Sequence, residues 1–296
     1  MHFIDNISEF NIRNDNNKIF YRVGQYLNNN PKLITEGEIK EMLNVGVSAE
    51  YAFTSLLSSY FQLDIINNSE DKDLFYDYLI NMVEKLDMKT YQKNPYYKNI
   101  KFTEQKIGNC EFKMGKYQAY EGFVCNDIVK LKNGRQIPQL GFFETEFLYP
   151  AIFENDRLWM SVTPNEINTM KEPIERAFGN VLTFGLGLGY YAYMVSEKNN
   201  VESVTIIENN DNIINLFKEY ILPQFKNVQK INIIKTDAFE YAESFLSGSK
   251  YDFVFVDLWH DVSDGIEMYL KMKEYEIQNS NIEFTYWIEK SIKCYL

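Results

Sequence analysis

The second half of the chain is predicted to fold as an α/β domain with a parallel sheet, and three observations predict it. First, a short apolar run, Val181–Phe184, stops at three glycines spaced by two, Gly185, Gly187 and Gly189. Second, further β-branched and apolar runs alternate with stretches of helical spacing, the pattern of a parallel sheet covered by crossover helices. Third, three of these runs end in an acid: Glu208, Asp237 and Asp257. In a parallel sheet those acids share one edge, the carboxyl edge, where open sheets bind ligands.

Taken in order, residues 1–104 read as a helical N-terminal region. Thr35 with Glu38 three residues later forms a capping-box pattern. Glu36–Phe61 then carries Ile39, Met42, Leu43, Ala52, Leu56 and Leu57 at helical spacing. Asp71–Leu86 places Leu74, Tyr78, Leu79, Met82 and Leu86 on one face, a stripe that reads as core packing. The Asn-rich stretches Asn28–Asn30 and Asn67–Asn68 read as loops. Residues 105–162 read as a small β unit, with strand-like stretches Tyr117–Val124, Ile128–Leu131, Glu144–Leu148 and Leu158–Val162. Lys132-Asn133-Gly134-Arg135 is a strong hairpin turn.

Residues 163–296 form the α/β domain. Val181–Phe184 is the first strand, and Tyr190–Glu197 is the helix after the glycines. Val201–Glu208 is the second strand, ending 23 residues beyond Gly185. Asn212–Tyr220 is helical, Ile231–Lys235 is a strand leading into Thr236-Asp237-Ala238, Phe239–Leu246 is helical, and Tyr251–Asp257 is the fourth strand. One helix (Gly265–Glu276) and one strand (Ile282–Ile288) remain.

Glycines at a strand-to-helix turn let the backbone approach a ligand, because no Cβ blocks the way. An acid about 20 residues further on, at the tip of the second strand, suits hydrogen bonding to ribose hydroxyls. The nicotinamide-dinucleotide fingerprint needs its third glycine five residues after the first; Tyr190 holds that position here, so that reading loses. The segment 165–290 resembles the class I S-adenosylmethionine-dependent methyltransferases. The resemblance implies a Rossmann-like sheet with S-adenosylmethionine as cofactor. Since one helix and one strand follow Asp257, the last, antiparallel strand of that sheet is expected to be missing. It implies that Gly185, Gly187 and Gly189 hold the methionine part, Glu208 the ribose, and Asp237 with Ala238 the adenine. Asp257 would line the site facing the transferred group.

Asp257-Leu-Trp-His-Asp-Val-Ser-Asp264 holds three acids, Trp259 and His260 just beyond a strand end. Methyl transfer needs an aligned nucleophile and, where that is protonated, a base. Asp257, His260 and Asp261 are the catalytic candidates; His260 has the ordinary pKa for the role. The competing reading makes His260, Asp261, Ser263 and Asp264 turn and cap residues of the next helix. Upstream, Thr163, Pro164 and Glu166 make a helix start. Trp159, Asn165 and Glu166, with Trp259, are candidates for a substrate site or gate.

The order of β unit, linking helix and glycine turn also resembles spermidine synthase, an aminopropyltransferase. Asn165-Glu166 stands where that family has Asp-Glu, and Asp257 matches the first acid of its Asp-Ser-Ser-Asp-Pro loop. Thr183 agrees too, since that family lacks an acid two residues before the first glycine. The chain departs at Leu188, where that family has the acid for the cofactor's amine, at Thr169-Met170 in place of its Tyr-His, and at His260 in place of the loop's second acid.

With 30 basic and 42 acidic residues the net charge is −12, which disfavours a nucleic-acid partner, since that needs a positive footprint. The longest apolar run, around Leu182–Val195, is too short and too glycine-broken for a membrane span. No signal peptide is evident at the start, and Cys110, Cys125 and Cys294 show no metal-ligand spacing. A cytoplasmic protein with no metal, a small-molecule substrate and a homo-oligomeric option is expected. The expected activity is S-adenosylmethionine-dependent methyl transfer to a small molecule. Aminopropyl transfer and non-catalytic cofactor binding are the alternatives.

Overall fold

The computed structural model describes residues 2–296, with side chains from Phe10 onward. The chain divides into two compact units: residues up to Met88 together with Lys116–Leu148, and Lys89–Gly115 together with Tyr149–Leu296. Among the described residues the strands are, in chain order, β1 (Val83–Lys85), β2 (Gln105–Ile107), β3 (Cys110–Tyr117) and β4 (Phe123–Lys130). There follow β5 (Gln136–Phe142), β6 (Phe147–Glu154), β7 (Arg157–Ser161) and β8 (Gly179–Phe184). The last four are β9 (Val201–Glu208), β10 (Ile231–Lys235), β11 (Phe253–Val256) and β12 (Glu283–Tyr286).

In the first unit, helices pack on a three-stranded sheet of order β1-β5-β4. The Thr35 capping box is present. The single helical run expected over Glu36–Phe61 is two helices, Glu36–Asn44 and Ala49–Tyr60. Gly46 breaks it at a φ of 91°, a left-handed backbone that glycine adopts without strain, and Ser48 caps the second helix by accepting from Tyr51 N at 3.2 Å. The stripe after Asp71 stays helical only to Met82. Val83 is β-branched and turns into β1, parallel to β5 with Val83 opposite Leu140. Asn28 and Asn29 end the first helix, His2–Asn29, rather than forming a loop. Asn68 caps the next helix by accepting from Glu70 N and Asp71 N.

The hairpin at 132–135 joins antiparallel β4 and β5 as expected. Tyr117–Val124 is not one strand. Its middle is a turn in which Tyr120 has a φ of 59° and Glu121 accepts from Gln118 N at 2.9 Å. The β unit expected over 105–162 does not form a separate body. Its strands pair into two sheets, β1-β5-β4 in the first unit and β2-β3-β6-β7 largely in the second. Strand pairing is long-range, so composition alone does not set where such a boundary falls. Residues 89–104, grouped above with the helical region, belong to the second unit.

The second unit is built on a five-stranded parallel sheet of order β10-β9-β8-β11-β12. In chain order its strands lie third, second, first, fourth, fifth, a Rossmann-like arrangement whose direction reverses between β8 and β11. β11 is buried along its whole length, and β8 is buried over Val181–Phe184, as expected for strands covered on both faces. The strand expected over Ile282–Ile288 is β12, and the sheet ends there among the described residues, with no antiparallel strand beyond it. No helix of the described residues is long and apolar enough to cross a membrane.

Candidate active site

The reversal between β8 and β11 sets the site at the carboxyl edge. Gly185 follows β8 with a φ of 97°. A Cβ there would sit 2.0 Å from the main-chain oxygen of Asp257, so only glycine lets β8 and β11 close to this distance. Gly185 N donates to Ile207 O and Asp257 N to Phe184 O, both at 2.9 Å, which locks the turn to both neighbouring strands. Gly187 differs: a Cβ there would meet only Met160 Sδ, at an ordinary contact distance of 3.8 Å, and the residue lines the cavity. Gly189 begins the helix Tyr190–Ser196 and lies against the ring of Phe217; it does not line the cavity.

The turn is also held from an unexpected quarter. Tyr96, fully buried, donates its hydroxyl to Leu188 O at 2.5 Å. Its ring packs edge-on against Tyr190 and Tyr193. Asn94 donates to Tyr190 Oη at 3.1 Å and Asn99 to Tyr193 Oη at 2.7 Å. The run Asn94-Pro95-Tyr96 carried a local helix-start signal, but nothing in it announced the partner.

Each strand-end acid has a distinct setting. Glu208 accepts from three main-chain N–H groups: Leu186 N at 3.2 Å with one oxygen, and Asn209 N at 2.9 Å and Asn210 N at 2.8 Å with the other. Two carboxylate oxygens offer about four acceptor sites, so capacity remains for a ligand. Asp237 caps the helix after β10, its Oδ1 accepting from Phe239 N at 2.8 Å and Glu240 N at 3.1 Å. Asp257 sits deep in the cavity. Burial, with the Glu208 carboxylate adding to it, pushes Asp257 up to about 7. Burial also lifts Glu166 well above the usual carboxylate range, and the charge of Asp257 adds to that.

One cavity of 620 Å³ gathers these groups. Gly185, Gly187, Glu208, Asp237, Ala238, Asp257, Trp159, Glu166, Trp259 and His260 all line it. Asp261 and Asn165 do not. Asp261 is the N-cap of the helix Val262–Gln278, accepting from Ser263 N in a capping box with Asp264. The turn-and-cap reading therefore describes Asp261, because the main-chain N–H groups of that helix need an acceptor. Asn165 is in the helix Pro164–Thr169, its Oδ1 buried and without a partner among the described residues. His260 is exposed, bonded through Nδ1 to Asp264 at 3.0 Å, with its ring edge-on to Trp159 at 4.3 Å between centroids. Sequence reasoning missed Trp287, which lines the cavity from just beyond β12 and donates its indole N–H to Thr169 Oγ1 at 3.0 Å. No group of three or more metal-ligating side chains occurs among the described residues.

The strand order divides the cavity. Glu208 and Asp237 lie on the β9–β10 side; Asp257, Trp259 and Trp287 lie on the β11–β12 side. The volume is that of an ordinary small-molecule site, about 300–1,000 Å³. The cavity-lining backbone at Gly187 and the spare acceptors of Glu208 fit a nucleoside cofactor. Asp237 and Ala238 stand beyond them.

No curated protein matches the chain. Among solved structures it is similar to a putative O-methyltransferase from Klebsiella pneumoniae at 17% identity, over 32% of this chain and 43% of that one, with a TM-score of 0.26. Spermidine synthase from Thermotoga maritima is similar at 15% identity over 46% of this chain and 49% of that one, TM-score 0.33. Human methyltransferase 10 domain containing protein is similar at 14% identity over 37% and 54%, TM-score 0.28. The likeness spans about half the length of these structures, and at such scores the fold assignment rests on the strand order alone. Residues 170–277, which run from the helix before β8 to the end of the helix after β11, match the family model of the spermine/spermidine synthase domain.

Proposed function

We propose that the second unit is an S-adenosylmethionine-dependent transferase that methylates a small molecule. The observation that carries this reading is the shared cavity, in which the Gly185–Gly187 turn, Glu208, Asp237 and Asp257 line one space. Glu208 would hold the ribose hydroxyls, Asp237 with Ala238 the adenine, and the turn the methionine tail. When bound, S-adenosylmethionine supplies an activated methyl group on a sulfonium. The chain's own contribution is positioning and proton handling. Tyr96 and Glu208 hold the turn through Leu188 O and Leu186 N. Asp257, poised near neutral pH, can receive a proton from an acceptor. Isothermal titration of the folded protein with S-adenosylmethionine and S-adenosylhomocysteine tests the reading; absence of heat with both rejects it.

A second reading, aminopropyl transfer to a diamine, is favoured by the domain match over 170–277. Leu188 counts against it: it lines the cavity with an apolar side chain where an amine of decarboxylated cofactor would need an acid. Incubation with decarboxylated S-adenosylmethionine and putrescine separates the two readings. Spermidine as product supports the second, and its absence in a cofactor-binding preparation supports the first.

A further inference from the structure

The chain has three tryptophans in 296 residues, and all of them, Trp159, Trp259 and Trp287, line the one cavity. They come from three separate segments: β7, the loop after β11, and the residue after β12. Trp259 and Trp287 are almost fully buried, and Trp159 is 38% exposed. Their settings are fixed independently. Trp287 is tied to Thr169, Trp259 packs over Gly265, and Trp159 meets His260. Three methionines, Met160, Met170 and Met268, line the same space.

The charge lining is one-sided. Glu166, Glu208, Asp237, Asp257 and Asp264 line the cavity, and no lysine or arginine does. Glu208 and Asp237 are on the cofactor side. Glu166, Asp257 and Asp264 remain for the other half, with the indoles; burial raises Glu166 and Asp257 in the empty site, and a cation seated among them favours their ionised forms. A primary ammonium is best held by several well-directed acceptors. A fully alkylated ammonium has no N–H to satisfy and is held by aromatic faces within a negative field.

We propose that the acceptor half of the cavity, bounded by Trp159, Trp259, Trp287, Glu166 and Asp257, recognises an alkylated ammonium group. This names the substrate class of the small-molecule transferase reading and rests on it. The ligand class is a small molecule that carries a tertiary or quaternary alkylammonium as its recognition group, its methyls contacting indole and thioether surfaces, and a separate hydroxyl as the nucleophile. That oxygen bonds to the methyl carbon as the carbon–sulfonium bond breaks, and its proton leaves to a carboxylate of the site.

Indole fluorescence reads the site directly, because every tryptophan of the chain lines it. The full chain is titrated, without nucleoside, with choline, with its uncharged isostere 3,3-dimethylbutan-1-ol, and with ethanolamine as the primary ammonium. Choline is expected to bind about tenfold tighter than either. Equal affinity for the uncharged isostere, tighter binding of ethanolamine, or no response to choline overturns the proposal. Trp159→Ala, at the most exposed of the three, is expected to weaken choline binding about tenfold at an unchanged melting temperature; unchanged choline affinity overturns it. If that variant melts early, Trp159→Phe replaces it: choline affinity within about threefold of the parent supports an aromatic role, and complete loss contradicts it. S-adenosylhomocysteine titrated calorimetrically in parallel keeps the two readings apart. Nucleoside binding without choline binding removes this proposal alone, and choline binding without nucleoside binding removes the methyl-transfer reading alone.

Discussion

The two halves of the cavity are made in different ways. The half proposed for the cofactor is a product of the backbone: a glycine turn, two strand tips, and acids whose oxygens accept from main-chain N–H groups of the same or an adjacent strand end. The half proposed for the acceptor is a product of side chains from β7, the helix Pro164–Thr169, the loop after β11 and Trp287. Backbone sites of this kind tolerate few substitutions at the turn itself. Side-chain sites can change specificity residue by residue while the sheet beneath stays the same.

The comparison breaks first at the turn. Gly185→Ala would force a Cβ to 2.0 Å from Asp257 O at a φ of 97°, so a loss of about 3 kcal/mol or more of stability is expected. Thermal denaturation checks it; a variant that melts like the parent would mean that β8 and β11 do not need this approach.

On the other side, Asp257 tests burial. Its folded-state value is near 7, while the unfolded chain titrates near 4. The folded state therefore holds the proton more tightly. The contribution of Asp257 to stability is largest below about pH 4, falls as pH rises between about 4 and 7, and stays at its lower level above that. Asp257→Asn is expected to raise stability at pH 8 by roughly 1–3 kcal/mol and to flatten the slope. Chemical denaturation at pH 5 and pH 8 reads both; an unchanged slope contradicts the buried-acid description.

A smaller effect is expected at Glu208. Glu208→Ala removes charge-assisted hydrogen bonds of ~1.5–3 kcal/mol each, and cofactor affinity should fall about tenfold or more. Undiminished affinity by calorimetry would end the ribose assignment. The smallest effect sharpens the contrast. Tyr96→Phe keeps the ring packing but leaves Leu188 O without its donor, which predicts about fivefold weaker cofactor binding at ~1 kcal/mol. Choline affinity, read by fluorescence, should stay put.

Legibility followed the same division. The turn, Glu208, Asp237 and Asp257 were readable because strand periodicity, glycine and chain distance are local signals, and in a parallel sheet all strand tips share an edge. Glu166 and Trp259 were singled out as candidates, although their depth was not. Asp261 stands next to His260 in the chain, and that proximity alone makes it a catalytic candidate from sequence. Its neighbours Ser263 and Asp264 complete a helix cap instead, a reading the same residues already supported. No local pattern marks Tyr96 or Trp287 as part of the site, since each acts through one partner, Leu188 or Thr169, about a hundred residues away in the chain.

By itself, the order of residues determined the succession of strands along the α/β half, the glycine turn and the acids at the strand tips, because φ preferences and hydrophobic period act over a few neighbouring positions. Only the tertiary structure decided which carboxylates are desolvated, which tyrosine holds the turn, and that three scattered indoles line one space. Desolvation and partner choice depend on what packs from distant segments, and that is set by the whole sheet at once.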